Sequence, residues 1–365
     1  MKLFQLLFIS FFVICCNNAD ETKKIKITEW ALLPFIKADT VNPVLNYDLN
    51  STFICPVRNA IVHWEEKDVF NPAAVVRHDT LFLLYRAEDS IGKYAGTSRI
   101  GMAWSTDGLH FTKHPVPVFY PNYDEQKKLE WEGGCEDPRI VQNESGTYFM
   151  TYSAYDGDKA RLMIASSTDL SHWKKHGHVF AKVHNGNYEN GWSKSGSIVS
   201  TYQSGTPVAT KINGKYWMYW GDTDIFLATS DDLINWMPVE TSDGKLLSVF
   251  GPRKGMFDSD LVEPGPPAML TEKGIVLIYN SRNMPEKGDT SLSLGTYAPS
   301  QILLDKNDPA KVLDRMDTYF MKPDKPYEIT GQVNHVCFVE GLVLYKGKWF
   351  LYYGTADSKI AVAVK

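Results

Sequence analysis

The run Trp131–Ile140, WEGGCEDPRI, puts Glu132, Glu136 and Asp137 close together beside two glycines, a proline and Arg139. Acids this dense among turn-forming residues do not build a core. On residue types alone the run could be a salt-bridged turn, a cation cage or the acid of an enzyme. The Asp137-Pro138 step selects a turn or an extended geometry, because proline restricts the residue before it. Arg139 can pair with a neighbouring carboxylate and orient it. Gly133 and Gly134 allow other backbone to approach closely. No D-x-D-x-D-G loop of the calcium-binding type occurs. Taken alone, E-D-P-R reads most plainly as a salt-bridged turn.

The elements that would position such acids are strands. TLFLLYRAED, TYFMTYSAY, KYWMYWGD, GIVLIYNSR and KWFLYYGTAD are short, aromatic-rich and β-prone, and turn signals precede them. Three further stretches resemble one another: Ala103 to Phe111, Ala165 to Trp173 and Ala228 to Trp236. Each carries an alanine and a serine before an aspartate, with an aromatic four residues after it. The aspartates are Asp107, Asp169 and Asp232, a spacing of 62 to 63 residues. A fixed period marks a repeat architecture. About five units of four strands fit the length, so the expected fold class is all-β, a five-bladed β-propeller over 31–365. A β-sandwich is the alternative. In a propeller the inner strands surround one axis, so the polar strand ends at Arg86, Glu88, Asp89, Asp222, Asp224, Asn280, Arg282 and Asp357 could meet in one pocket.

With 365 residues, 44% of them hydrophobic, the chain can bury a large core. The net charge of −5 and the lack of a basic stripe argue against nucleic acid. Residues 1–16 read as a lipoprotein-type signal peptide: an apolar stretch from Leu3 to Ile14, then Cys15 and Cys16, one of which would carry the lipid. Residues 17–30 read as a flexible tether. The expected location is the bacterial cell envelope, with the membrane reached only through that lipid. Cys55, Cys135 and Cys337 include no C-x-x-C pair, so zinc and a disulfide framework are not expected. They read as buried thiols, with one disulfide left open.

Taken together, FNPAAV (70–75), LLYRAED (83–89), TSRIGMAWSTDG (97–108), GGCEDPRI (133–140), KINGKYWMYWGD (211–222), FDSDLVEPGPPA (257–268) and LYYGTADSKIAVA (351–363) resemble glycoside hydrolase family 130, the mannoside phosphorylases and β-mannosidases. The resemblance covers nearly the whole chain after the signal segment. It implies a five-bladed propeller, and it makes Asp137 the proton donor to the glycosidic oxygen. It also implies a sugar pocket lined by Asn71, Arg86, Asp89, Arg99 and Asp357, each of which could instead be part of a fold-stabilising pair. Glu136, Arg139, Lys194 and Tyr279 are further candidate substrate contacts.

The attacking group is phosphate or water. Where the phosphorylases carry His-Arg and Tyr-His-Gly, this chain has Trp220-Gly221-Asp222 and Tyr279-Asn280-Ser281. Both changes remove groups that bind a phosphate dianion. Asp222 and Glu263 resemble the acidic pair of the hydrolytic branch, although a glutamate is expected at 222. A side chain shorter by about 1 Å is a misplacement that can cost ~100-fold. The reading is an inverting exo-β-mannosidase acting on β-1,2-linked mannosides, with Asp137 as acid and Glu263, with or without Asp222, as base. The scheme needs no cofactor and no metal, and its partner is a mannose-containing glycan. A phosphorylase making mannose 1-phosphate and a non-catalytic mannoside-binding lipoprotein are the alternatives.

Overall fold

The structure, a computed structural model, describes residues 29–284 and 286–365. The signal segment, both candidate lipidation cysteines and nearly all of the tether lie outside the described residues. The chain is mostly β, with short helical turns at Lys127–Glu130, His184–Asn190 and Pro326–Ile329.

Each of the five aromatic-rich stretches becomes a strand with partners on both sides. Thr80–Glu88 pairs with Asp68–Arg77 and Ser98–Ser105, and Tyr148–Tyr155 with Gly134–Gln142 and Ala160–Ser167. Tyr216–Trp220 lies between Ser197–Ile198 and Ile225–Ser230. Gly274–Arg282 pairs with Leu261–Pro264, Met269–Thr271 and Ser300–Leu304. Lys348–Thr355 lies between Cys337–Tyr345 and Lys359–Val364. All these pairings are antiparallel, and they define five units. The short N-terminal strand Ile36–Lys37 joins the last unit through Val364 and Ala363, so the two ends of the folded region share one sheet.

Alternation along the middle strands explains why they are apolar on both faces. Among the described residues five hydrophobic clusters form, each filling the space between two units. Leu84, with Ala73 and Val75, packs on Ile140 and Met150 of the second unit. Val141 and Phe149 meet Met218 and Trp220 of the third. Tyr219 and Leu227 meet Leu277 and Tyr279 of the fourth. Ile278 meets Leu351 and Tyr353 of the fifth. Phe350 and Tyr352 then return to Leu83 and Tyr85 of the first. Full burial of one such side chain contributes about 1.5–3 kcal/mol.

The repeated serine and aspartate have a local purpose. After the third strand of three units, the serine Oγ accepts the N–H of Gly108, Leu170 or Leu233 at 2.8–3.0 Å. The aspartate then accepts two further N–H groups, as Asp169 does from Ser171 and His172. Trp173 and Trp236 lock the turn by donating an indole N–H to Leu170 and Leu233. The period seen in the sequence is therefore a turn repeated from unit to unit. Cys55, Cys135 and Cys337 are buried free thiols.

Candidate active site

Three of the five first strands are interrupted where a polar residue is needed. The pairing register shifts between Phe70 and Pro72, between Glu136 and Arg139, and between Val339 and Gly341. A bulge bends its strand and re-aims a side chain. Here the re-aimed residues are Asn71, Asp137 and Glu340. Asn71 and Asp137 adopt positive φ of 48° and 50°, a region that asparagine and aspartate tolerate better than most residues. The glycine ahead of Asp137 has a fixed role. Gly134 has φ +117°, and a Cβ there would lie 2.2 Å from the Ser98 carbonyl oxygen.

Asn71 and Asp137 converge on a cavity of about 410 Å³, while Glu340 stays buried outside its lining. Its polar lining includes Asn71, Arg86, Asp137, Lys194, Glu263 and Asp357, drawn from all five units or the loops between them. Asp137 lies at its floor, 2% exposed. Its Oδ1 accepts the Asn71 amide at 2.9 Å and lies 3.4 Å from Arg86 Nη1. Its Oδ2 is 3.5 Å from Lys194 Nζ. The same ammonium is 3.6 Å from Glu263 Oε1. Asp137 and Glu263 therefore face each other across one lysine, with those oxygens no more than about 7 Å apart. Ser195, next to that lysine, donates its hydroxyl to Glu263.

The charges pull the carboxyls in opposite directions. Burial pushes Asp137 up, but Lys194, Arg86 and the Asn71 amide outweigh it and hold it well below the usual carboxylate range. Burial dominates at Glu263 and raises it despite Lys194 and Arg139. Glu136 is pushed up to about 7 by burial, with the Asp137 charge adding to the effect and Arg86 opposing it. Asp357 reaches about 7 by burial against the same guanidinium. Arg86 ties this group together, with Nη2 at 2.6 Å from Glu88 and 2.9 Å from Glu136. Separated carboxyl pKa values of this kind suit an acid and a base working side by side.

Several candidates stand elsewhere. Asp89 and Arg99 pair at 2.8 Å, fully buried, and also hold the Thr97 backbone from both sides; neither lines the cavity. Tyr279 turns away into the core, where its hydroxyl donates to Asp258 and receives Arg315 Nε. Its neighbour Asn280 faces the fifth unit and exchanges two hydrogen bonds with the Val339 backbone. The alternation of the strand makes that choice. Arg139 is buried against backbone, donating to Pro264 O at 2.7 Å, Gly265 O at 2.8 Å and Asp137 O at 3.3 Å. It braces the strand that carries Asp137 to the strand that carries Glu263, so it orients backbone and has no open face for a sugar. Asp222 is on the rim, where its Oδ2 accepts the Trp192 indole N–H at 2.7 Å. Glu132 pairs with Arg58 at 2.7 Å, away from the cavity.

Sequence reading missed Glu340, Ser195 and Tyr297, and it favoured a core place over a sugar-stacking one for Trp192, which is 52% exposed. Glu340 is fully buried, and its Oε1 is 2.9 Å from Arg139 Nη2. That contact lacks hydrogen-bond geometry, so among the described residues neither of its oxygens has a hydrogen-bond partner, and burial drives its carboxyl well above the usual range. One signal was available. Asn71-Pro72, Asp137-Pro138 and Glu263-Pro264 each put a polar residue before proline at the same place in a unit, and Glu340-Gly341 is the fourth instance of a polar residue at that place.

Comparison with known proteins agrees with this geometry. A family model described as β-1,4-mannooligosaccharide phosphorylase, of glycoside hydrolase family 130, matches residues 48–365. A 1,2-β-oligomannan phosphorylase of Thermoanaerobacter sp. (strain X514) is 32% identical over 310 residues, covering 82% of this chain and 90% of its own length. A glycosyl hydrolase structure from Bacteroides ovatus superposes with TM-score 0.91 at 47% identity, over 93% of this chain and 96% of that one. A second structure, also at TM-score 0.91 and 47% identity, covers 94% of this chain and 96% of its own. It is described with the words "The GH130 family of mannoside phosphorylases contains glycoside hydrolases that target beta-1,2 mannosidic linkages in Candida mannan". With a family match over most of its length, this chain belongs to glycoside hydrolase family 130, a family of enzymes acting on mannosides.

Proposed function

We propose that the protein is an inverting, exo-acting β-mannosidase that hydrolyses β-1,2-linked mannosides, built as a five-bladed β-propeller over 31–365. The cyclic order of the hydrophobic clusters, from the first unit round to the fifth and back, supports the propeller. An envelope location with a lipid on Cys15 or Cys16 belongs to the same reading and rests on residues 1–16.

The observation that carries hydrolysis is that every cation at the cavity already has a carboxylate. Arg86 contacts Glu88, Glu136 and Asp137, and Lys194 contacts Asp137 and Glu263. Arg282 contacts Asp260 at 2.5 Å. A phosphate dianion needs unspent donors, and it would be repelled by this excess of acids. A water molecule is not repelled, and Glu263 can take its proton.

In this mechanism Glu263, ionised, draws a proton from water on one face of the sugar while Asp137 delivers one to the departing oxygen. The upper limit of about 7 Å on the two oxygens admits only the lower end of the ~6.5–9.5 Å range of inverting enzymes, and the first-formed anomer decides the stereochemistry. In the free enzyme Asp137 is anionic at neutral pH. A sugar inserted beside Lys194 separates the ammonium from the carboxylate and excludes water, and both changes raise the pKa of Asp137. Glu136, near 7, stores a proton next to it. The test is proton NMR of β-1,2-mannobiose cleavage in phosphate-free buffer. α-Mannose as the first-formed anomer supports the reading. β-Mannose, or no cleavage until phosphate is added, refutes it.

A further inference from the structure

We propose that Asp222 is a positioning residue that fixes the Trp192 indole as a stacking platform for the departing sugar at the cavity mouth. The proposal rests on the mannoside reading above and refines it, because it leaves Glu263 as the sole base.

Among the described residues Trp192 is the one tryptophan that is mostly exposed, at 52%. A single exposed aromatic is ordinary on a protein surface. Two features set this one apart. Its Nε1 donates to Asp222 Oδ2 at 2.7 Å, so the ring is held at the surface by a charge-assisted bond. It also lies two residues before Lys194, the ammonium between Asp137 and Glu263. A second tie joins the same segments, from the Gly221 N–H to the Lys194 carbonyl at 3.0 Å. The loop bearing Trp192 and the strand end bearing Asp222 are thus stitched together just outside the reacting groups. An amphipathic ring with its polar end fixed and its face open suits a ligand that presents C–H on one side and hydroxyls on the other. A pyranose leaving through the mouth is such a ligand.

The same geometry argues against Asp222 as base. One of its oxygens is taken by the indole, and it does not line the cavity. Glu263 lines it, faces Asp137 across Lys194 and is oriented by the Ser195 hydroxyl.

The experiment is a double-mutant cycle on the purified protein with β-1,2-mannobiose. Trp192→Ala and Asp222→Ala are each expected to raise KM about tenfold, with the loss falling mainly on KM rather than kcat. The double variant should be no worse than either single one. Asp222→Asn keeps an oxygen for the indole and should recover most of the lost KM. A drop in kcat of about 100-fold in Asp222→Asn with KM unchanged would instead make Asp222 the base, and additive losses would uncouple the pair. A readout free of turnover separates this proposal from the function it rests on. Tryptophan fluorescence of Asp137→Asn should change on titration with mannobiose, and the change should vanish when Trp192→Ala is added. Binding without that change overturns the platform even if mannose is released. The change without any mannose release by the wild type keeps the platform and overturns the hydrolase. No binding overturns both.

Discussion

Replacing Lys194 with methionine tests the electrostatics of the site most sharply. The ammonium lies 3.5 Å from Asp137 and 3.6 Å from Glu263. At such distances a charge pair is worth about 1 kcal/mol in water and about 5 kcal/mol at an effective dielectric of 20. At 1.36 kcal/mol per unit, that is about 1–4 pKa units for each carboxyl. Lysine favours the ionised form of both, so its loss raises both. Glu263 must be ionised to act as a base, so the acidic limb of the pH–rate profile should move to higher pH. Asp137 must be protonated to act as an acid, so the basic limb should move the same way. The assay is kcat/KM for mannose release from β-1,2-mannobiose across pH, wild type against Lys194→Met. The absolute rate will fall as a sugar contact is lost, but the positions of the limbs are the readout. A profile that falls in height with both limbs in place would refute the shared-counterion account.

Three further outcomes follow from the same geometry. Asp137→Asn and Glu263→Gln each remove a proton-transfer group, so each should lower kcat by at least ~10²–10⁴-fold with folding intact by circular dichroism. Arg139→Met leaves the Pro264 and Gly265 carbonyls and the Glu340 side chain without their cation, and should cost about 3–5 kcal/mol in urea unfolding. Glu340→Gln keeps the shape of a carboxyl that burial already drives toward its neutral form, and should cost less than Arg139→Met in the same assay. Stability should also depend on pH with a definite sign. Glu136 and Asp357 have folded pKa values near 7, above the unfolded value, so the folded state holds more protons and stability falls as pH rises from about 4.5 to 7. Glu88 is the reverse case. Burial pushes it up, but Arg86 and Lys67 outweigh burial and hold it at about 2, so its contribution is present above pH 4.5 and lost as pH falls toward 2. Thermal melts of Glu136→Gln should show a shallower decline between pH 4.5 and 7 than the wild type.

Much of the fold was legible because it is local. The five middle strands are aromatic runs bounded by turns, and the Ser-x-Asp spacing is a turn whose hydrogen bonds close within a few residues. The pairing of Asp137 with Glu263 was legible only through family resemblance, since 126 residues separate them. Side-chain direction was not legible. Strand alternation sends Tyr279 into the core and Asn280 to the fifth unit, while both sit in the same polar-ended strand. Asp89 and Arg99 look like site residues by type, but they satisfy each other beneath the surface. Arg139 has the chemistry of a sugar or anion ligand, and only its three backbone acceptors show that it is a brace. Glu340 was overlooked because no motif surrounds it. Its position in the unit repeat, aligned with Asn71, Asp137 and Glu263, was the available clue.

The central claim is that water, not phosphate, attacks the anomeric carbon in a cavity whose cations are already matched by acids. Its most direct measurement is a competition. The purified protein is given β-1,2-mannobiose in oxygen-18 water with phosphate also present, and the products are weighed by mass spectrometry. The account predicts free mannose with the heavy oxygen at its anomeric carbon, and no sugar phosphate. Mannose 1-phosphate without the heavy oxygen would contradict it and make Lys194 and Arg86 phosphate ligands.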